Sequence, residues 1–153
     1  MEGISAIGLV LEVSHANVNG NQNKIKGIDN IIRGDANYVE GMNHTIYGNN
    51  NVLYVNNSTI YGNSNKVYGF SNIIVGNENE VNGENCTIDG KNNNIEGNGM
   101  KIYGKNNTFR YPKTGKIERV KRSYANISNT GRCEVYQVSS EEEMSQNSSC
   151  SEE

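Results

Sequence analysis

From Gly20 onward glycine returns every seven residues, at Gly27, Gly34, Gly41 and Gly48, skips once at Val55, and resumes at Gly62, Gly69, Gly76, Gly83, Gly90, Gly97 and Gly104. A short fixed period constrains a chain more than any other signal, because it makes the chain build one small unit and stack the copies. Aligned on glycine, the unit reads G-x-x-N-x-[IV]-x. Its sixth slot stays apolar through Val18, Ile25, Ile32, Val39, Ile46, Leu53, Ile60, Val67, Ile74, Val81, Ile88, Ile95, Ile102 and Phe109. A coiled coil also repeats in sevens, but it needs two apolar positions per heptad and does not tolerate glycine in each one. The unit therefore reads as a short strand and a corner. Glycine supplies a positive-φ turn, and a β-branched residue with alternating neighbours supplies the strand.

The fourth slot sets how many units make one turn. Asn23, Asn37, Asn51, Asn65, Asn79, Asn93 and Asn107 recur every fourteen residues, whereas the intervening units carry Ala16, Asn30, His44, Ser58, Asn72, Cys86 and Met100. Alternate units are thus different columns. This predicts an all-β fold, a parallel β-solenoid (β-roll) with two short strands per fourteen-residue rung and about seven rungs over residues 13–110. Because side chains alternate along a strand, slots four and six point inward and slots five and seven outward. One buried aliphatic side chain stabilises by roughly 1.5–3 kcal/mol, while ordering each residue's backbone costs about 1–2 kcal/mol. Hydrogen bonds between stacked buried asparagines therefore have to supply much of the difference.

The ends follow a different pattern. Residues 1–12 are expected to form an N-terminal cap over the first rung, since a stack of parallel strands exposes two open edges. After Phe109 and Pro112, Ile117, Val120, Tyr124 and Ile127 recur at three- and four-residue spacing, which predicts a C-terminal cap over 111–128 containing a short helix. Residues 129–153 are Ser- and Glu-rich and read as a disordered acidic tail. The formal net charge of -3 argues against nucleic-acid or anionic-membrane partners. Neither the basic leader of a secretory signal nor a long apolar span is evident, so a cytoplasmic location is expected. Cys86, Cys133 and Cys150 are odd in number and irregularly spaced, implying neither disulfides nor a metal site. No cofactor is expected.

Function has to lie in the outward columns. Units starting at Val13, Gly27, Gly41, Val55, Gly69, Gly83 and Gly97 place Ile31, Thr45, Thr59, Ile73 and Thr87 in file in slot five, with Tyr47, Tyr61 and Tyr103 in slot seven. The other face, with Lys24, Lys26, Glu40, Lys66, Glu80, Glu96 and Arg110, is more charged. A weakly charged, regularly spaced strip suits a planar or repeating partner, although strand propensity also favours such residues. An enzyme is not expected. His44 lies in the inward column and Cys86 has no histidine beside it to act as a base.

The repeat resembles that of the ice-binding, recrystallisation-inhibiting proteins of grasses, whose unit x-x-N-x-V-x-G matches Asn23-Lys24-Ile25-Lys26-Gly27, Asn51-Val52-Leu53-Tyr54 and Asn93-Asn94-Ile95-Glu96-Gly97. The resemblance spans roughly residues 13–110. It implies inward Val and Asn ladders and one flat face that orders water to match ice, here Thr45, Thr59 and Thr87 with Ile31 and Ile73. It also implies an extracellular site of action, as in the plant apoplast. Against the small residues of the family's faces, this face carries Tyr47, Tyr61, Tyr103, Arg33, Asp89 and Lys101. The chain is also similar to the head β-rolls of trimeric bacterial adhesins. The alternative function is thus a structural or adhesin-like interaction scaffold that meets a protein partner through its tyrosine-bearing face or rod ends, as a monomer or with weak self-association.

Overall fold

The computed structural model describes residues 2–112, 115, 117–122, 124–127 and 133–136. Every element among them is a strand. One wall is built by β1 (Glu2–Ser5), β3 (Ala16–Asn19), β5 (Ile31–Arg33), β7 (Thr45–Tyr47), β9 (Thr59–Tyr61), β11 (Ile73–Val75) and β13 (Thr87–Lys91). The other is built by β2 (Val10–Glu12), β4 (Lys24–Ile28), β6 (Tyr38–Met42), β8 (Val52–Asn56), β10 (Lys66–Phe70), β12 (Glu80–Glu84) and β14 (Asn94–Asn98). The long β15 (Met100–Arg110) closes both walls, pairing with β13 and β14. From β1 to β13 each strand lies parallel to the strand two places on, one fourteen-residue turn away, as in Ile46↔Ile60 and Val67↔Leu53. The result is a parallel β-solenoid of about eight turns.

The coil begins earlier than expected. Ile4 pairs with Val18 and Leu11 with Ile25, so residues 2–12 are its first turn and not a separate cap. Ile4 and Leu11 continue the seven-residue apolar series, whereas Ala6 and Val13 replace glycine there and hide the repeat.

The far end also differs from the expectation. In place of a short helix, β16 (Ile117–Arg122) and β17 (Tyr124–Ile127) lie antiparallel on β15, with Asn107↔Val120 and Met100↔Ile127. A last turn presents a row of unpaired backbone donors and acceptors, and an extended segment answers them where a helix, bonded to itself, does not. A further strand, β18 (Cys133–Tyr136), pairs with β17 inside the segment expected to be disordered. The remainder of that tail lies outside the described residues.

The sixth-slot side chains from Val18 to Phe109 are all at most 1% exposed. Beside them runs the asparagine column. The Asn51 N–H donates to Asn65 Oδ1 at 2.8 Å, and the Asn65 N–H to Asn79 Oδ1 at 2.8 Å. Except at Asn51, the Nδ2 groups turn to a carbonyl at the corner, as Asn65 to Gly48 at 3.0 Å and Asn79 to Gly62 at 3.1 Å. The ladder is therefore mostly amide to main chain. Direct amide-to-amide bonds in this column join Asn51 to Asn65 (3.1 Å) and Asn93 to Asn107 (3.0 Å).

Most corners carry two residues of positive φ, the repeat glycine and the residue two places after it. The left-handed helical conformation falls on the third slot, for example Asn43, Asn50 and Asn57 with φ of 59°, 58° and 52°, a state asparagine tolerates better than most residues. Glycine itself has the expected positive φ, 149° at Gly62, and is required for a second reason as well. A Cβ on Gly62 would stand 1.8 Å from the Gly48 carbonyl oxygen of the adjacent turn and 3.2 Å from Asn65 Nδ2. Val55 breaks this rule with its side chain buried, and the fourth slot of the same unit shrinks to Ser58, whose Oγ donates to the Asn56 carbonyl at 2.9 Å. A bulkier corner is matched by a smaller neighbour.

Candidate functional site

Main-chain pairing fixes the outward columns. The register runs Ile31↔Thr45, Thr45↔Thr59, Ile73↔Thr59 and Ile73↔Thr87, which places all five residues in one uncharged file. One residue is contributed per turn, at the strand spacing of about 4.8 Å. Thr45, Thr59 and Thr87 are half-buried, and Ile73 is exposed. The neighbouring file runs Arg33↔Tyr47, Tyr47↔Tyr61, Val75↔Tyr61, Val75↔Asp89 and Asp89↔Tyr103.

The structure brings together Tyr47 and Tyr61 of this second file, their rings stacked with centroids 5.1 Å apart and planes 10° from parallel. The Arg33 guanidinium covers the Tyr47 ring at 5.2 Å. Tyr103 stands apart from this pair, separated by Val75 and Asp89. Stacked rings occupy each other's faces and present mainly edges and hydroxyls outward. Val75, apolar and exposed between Tyr61 and Asp89, extends the uncharged area and was legible only as a member of the seventh-slot column.

The opposite wall is polar and cross-linked. Lys26 pairs with Glu40 at 3.1 Å, and Arg110 with Glu96 at 3.9 Å. Tyr54 and Tyr68 stack at 4.8 Å, Tyr38 leans on Tyr54 at 5.6 Å, and Lys24 lies over Tyr38 at 5.4 Å. A hydrogen bond from Lys26 holds the Glu40 carboxyl below its ordinary pKa, and the bond from Tyr38 acts the same way. That same bond to Glu40, ahead of burial and negative charge, raises the Tyr38 pKa.

Behind the Thr/Ile file runs the mixed inward column. His44 Nδ1 accepts the Asn30 N–H at 3.3 Å, and the His44 N–H donates to Ser58 Oγ at 3.0 Å. His44 Nε2 is buried without a hydrogen-bond partner. Burial pushes the His44 pKa down, against the opposing pull of the Glu40 and Gly27 main chain, the Asp29 charge and the Asn30 main chain. Cys86 is buried, its Sγ facing the carbonyls of Glu84 (3.4 Å) and Gly69 (3.8 Å), and burial raises its pKa. His44 and Cys86 are three turns apart, on the order of 14 Å at the strand spacing, so the imidazole is out of reach as a base for the thiol. Among the described residues no group of three His, Cys, Asp or Glu side chains is placed to hold a metal ion.

Two features of the corners escaped sequence reasoning. Asn21, Asp35, Asn49, Asn63 and Asn77 form an outer polar ladder on one corner, each accepting a main-chain N–H from the next turn at 2.7–2.9 Å. Ile28, Met42 and Phe70 stand exposed on the other. The signal lay in the second slot of the repeat, read separately for odd and even units.

A family model described as the grass antifreeze beta roll matches residues 9–90. No curated protein and no solved structure matches the chain.

Proposed function

The chain belongs to the grass antifreeze β-roll family, and on that footing we propose that it is a non-catalytic ice-binding protein that restrains ice recrystallisation through the wall bearing Ile31, Thr45, Thr59, Ile73 and Thr87. The observation that carries this reading is the uncharged file itself, one residue per turn in strict register. Its repeat of about 4.8 Å is close to a repeat of the ice lattice. Methyl and hydroxyl groups at that interval hold water in an ordered layer that merges with the crystal, and a rigid β-coil keeps the interval without the entropy cost of ordering the surface on contact. Tyr47, Tyr61 and Tyr103 border the strip on this reading.

The opposite wall is a poorer candidate, because its ion pairs and charged heads orient water around themselves. The scaffold reading relies on exposed tyrosines or on the rod ends, and of the tyrosines Tyr47 stacks on Tyr61 at 5.1 Å and Tyr54 on Tyr68 at 4.8 Å, which leaves fewer ring faces to meet a partner. A catalytic role is poorly served among the described residues, where Cys86 lies three turns from His44, too far for the imidazole to act as its base.

The test is an annealed frozen film containing the full chain. The wild-type protein is expected to keep ice grains fine, and Thr45→Tyr with Thr59→Tyr to let them coarsen towards the protein-free film. Coarse grains with the wild type would overturn the ice-binding function, and fine grains with the double variant would overturn the choice of wall.

A further inference from the structure

The two corners of the coil hold the same slot of the repeat and are built differently. At the corner leaving the Thr/Ile wall, the polar second-slot residues accept main-chain N–H groups in an unbroken run, Asp35 for example receiving the Asn49 N–H at 2.7 Å. At the corner entering that wall, Ser14 and Asn56 do the same, accepting from Ile28 (3.2 Å) and Phe70 (3.0 Å). Ile28, Met42 and Phe70 occupy the same slot there and have no acceptor to offer. Each forgoes a net-favourable hydrogen bond that Asn, Asp or Ser makes elsewhere in the coil.

Ile28 is 41% exposed, Met42 42% and Phe70 49%, so close to half of each residue's apolar surface meets no partner within the chain. Contact with something outside the chain accounts for them.

Position identifies the occupant. Ile28 precedes Ile31, Met42 precedes Thr45 and Phe70 precedes Ile73, each by three residues on the same turn. The row shares the turn-by-turn spacing of the strip, through Ile28↔Met42 and Met42↔Asn56, and carries no charge from Ile28 to Phe70. We propose that Ile28, Met42 and Phe70 are a second contact row for ice, so that the protein holds the crystal along a corner as well as a wall. This rests on the ice-binding reading above and extends its surface.

Asparagine at these positions gives the test opposite signs for fold and function. In the full chain, Met42→Asn with Phe70→Asn supplies acceptors for the N–H groups of Asn56 and Glu84, so the unfolding temperature is expected to hold or rise. The concentration needed to keep ice grains fine is expected to rise several-fold. Phe70→Ser alone is expected to give a smaller loss in the same direction. A double variant as active as the wild type, or one whose lost activity tracks a lowered unfolding temperature, would overturn the contact row while leaving the ice-binding reading standing. A wild-type self-association, seen by light scattering, that the variant abolishes with no loss of activity would assign the row to a second copy of the chain and overturn the proposal. A wild-type protein without effect on ice would remove the reading and the row together.

Discussion

The two inward columns of the fourth slot do the same job with different residues. Behind the charged wall, asparagine fills the column from Asn23 to Asn107 and each N–H from Asn23 to Asn93 finds an Oδ1 on the next turn. Behind the Thr/Ile wall, the column is Ala16, Asn30, His44, Ser58, Asn72, Cys86 and Met100. Its ladder weakens to 3.3 Å at His44, and at Cys86 the Asn72 N–H meets a sulfur, a weak acceptor, in place of an amide oxygen. Main-chain pairing is nevertheless equal on the two walls. The Thr59 N–H reaches the His44 carbonyl at 2.9 Å, and the Val52 N–H reaches the Asn37 carbonyl at 2.9 Å. Spacing of the outer files is thus set by the backbone, and the inward column sets how firmly the coil is held. A wall with an imperfect column still presents a regular surface.

The largest test breaks the uniform column. Asn65→Ala removes the acceptor of the Asn51 N–H and the donor to the Gly48 carbonyl. Leaving buried groups unsatisfied costs about 1–3 kcal/mol each, so a loss of roughly 3–5 kcal/mol is expected in urea unfolding. A loss below about 1 kcal/mol would mean that water or a relaxed corner replaces the amide.

The second test sharpens the contrast with pH. Burial lowers the His44 pKa below its ordinary 6.5, so the folded protein binds this proton less readily than the unfolded chain. Stability from neutral His44 is therefore fully present above pH 6.5 and is lost as pH falls below it. His44→Asn supplies an Oδ1 for the Asn30 N–H and an Nδ2 aimed where Nε2 now has no partner. The variant is expected to unfold at a higher temperature, with a smaller decline between neutral pH and pH 5.5. Parallel pH profiles for the two proteins would show that His44 does not carry the acid sensitivity.

The smallest test strengthens the column at Cys86, where sulfur is the acceptor of the Asn72 N–H. Cys86→Asn offers an Oδ1 to the Asn72 N–H and an Nδ2 to the Gly69 carbonyl, which the thiol faces at 3.8 Å. A gain of about 1 kcal/mol is expected, and destabilisation would show that the column is too narrow there for an amide.

Much of the coil was legible because period and burial coincide. Glycine every seven and asparagine every fourteen residues gave the strand, the corner and the two-strand turn, and the sixth-slot series gave the core. What stayed hidden falls where one residue type serves two ends or where the consensus lapses. Ala6 and Val13 mask the first turn, although Ile4 and Leu11 keep the apolar beat. Glycine has the positive φ expected of it, but the second positive-φ residue at slot three and the carbonyl of the adjacent turn that excludes a Cβ at glycine were not visible in the period. The closing strands escaped because Ile117, Val120 and Ile127 suit either a helix face or a strand, and only the open edge of β15 decides between them. The turn-to-turn register of the slot-five and slot-seven residues follows directly from the fourteen-residue period. That Tyr47 and Tyr61 stack on each other while Tyr103 is not part of that stack depends on which residues intervene.

Partition into slowly growing ice compares the two walls directly. Wild type, Thr59→Tyr and Lys66→Tyr place or omit a single bulky ring at the same height on opposite sides of one rod. The account predicts that wild type and Lys66→Tyr enter the ice phase to the same extent while Thr59→Tyr stays in the liquid. Equal uptake of all three, or loss confined to Lys66→Tyr, would contradict it.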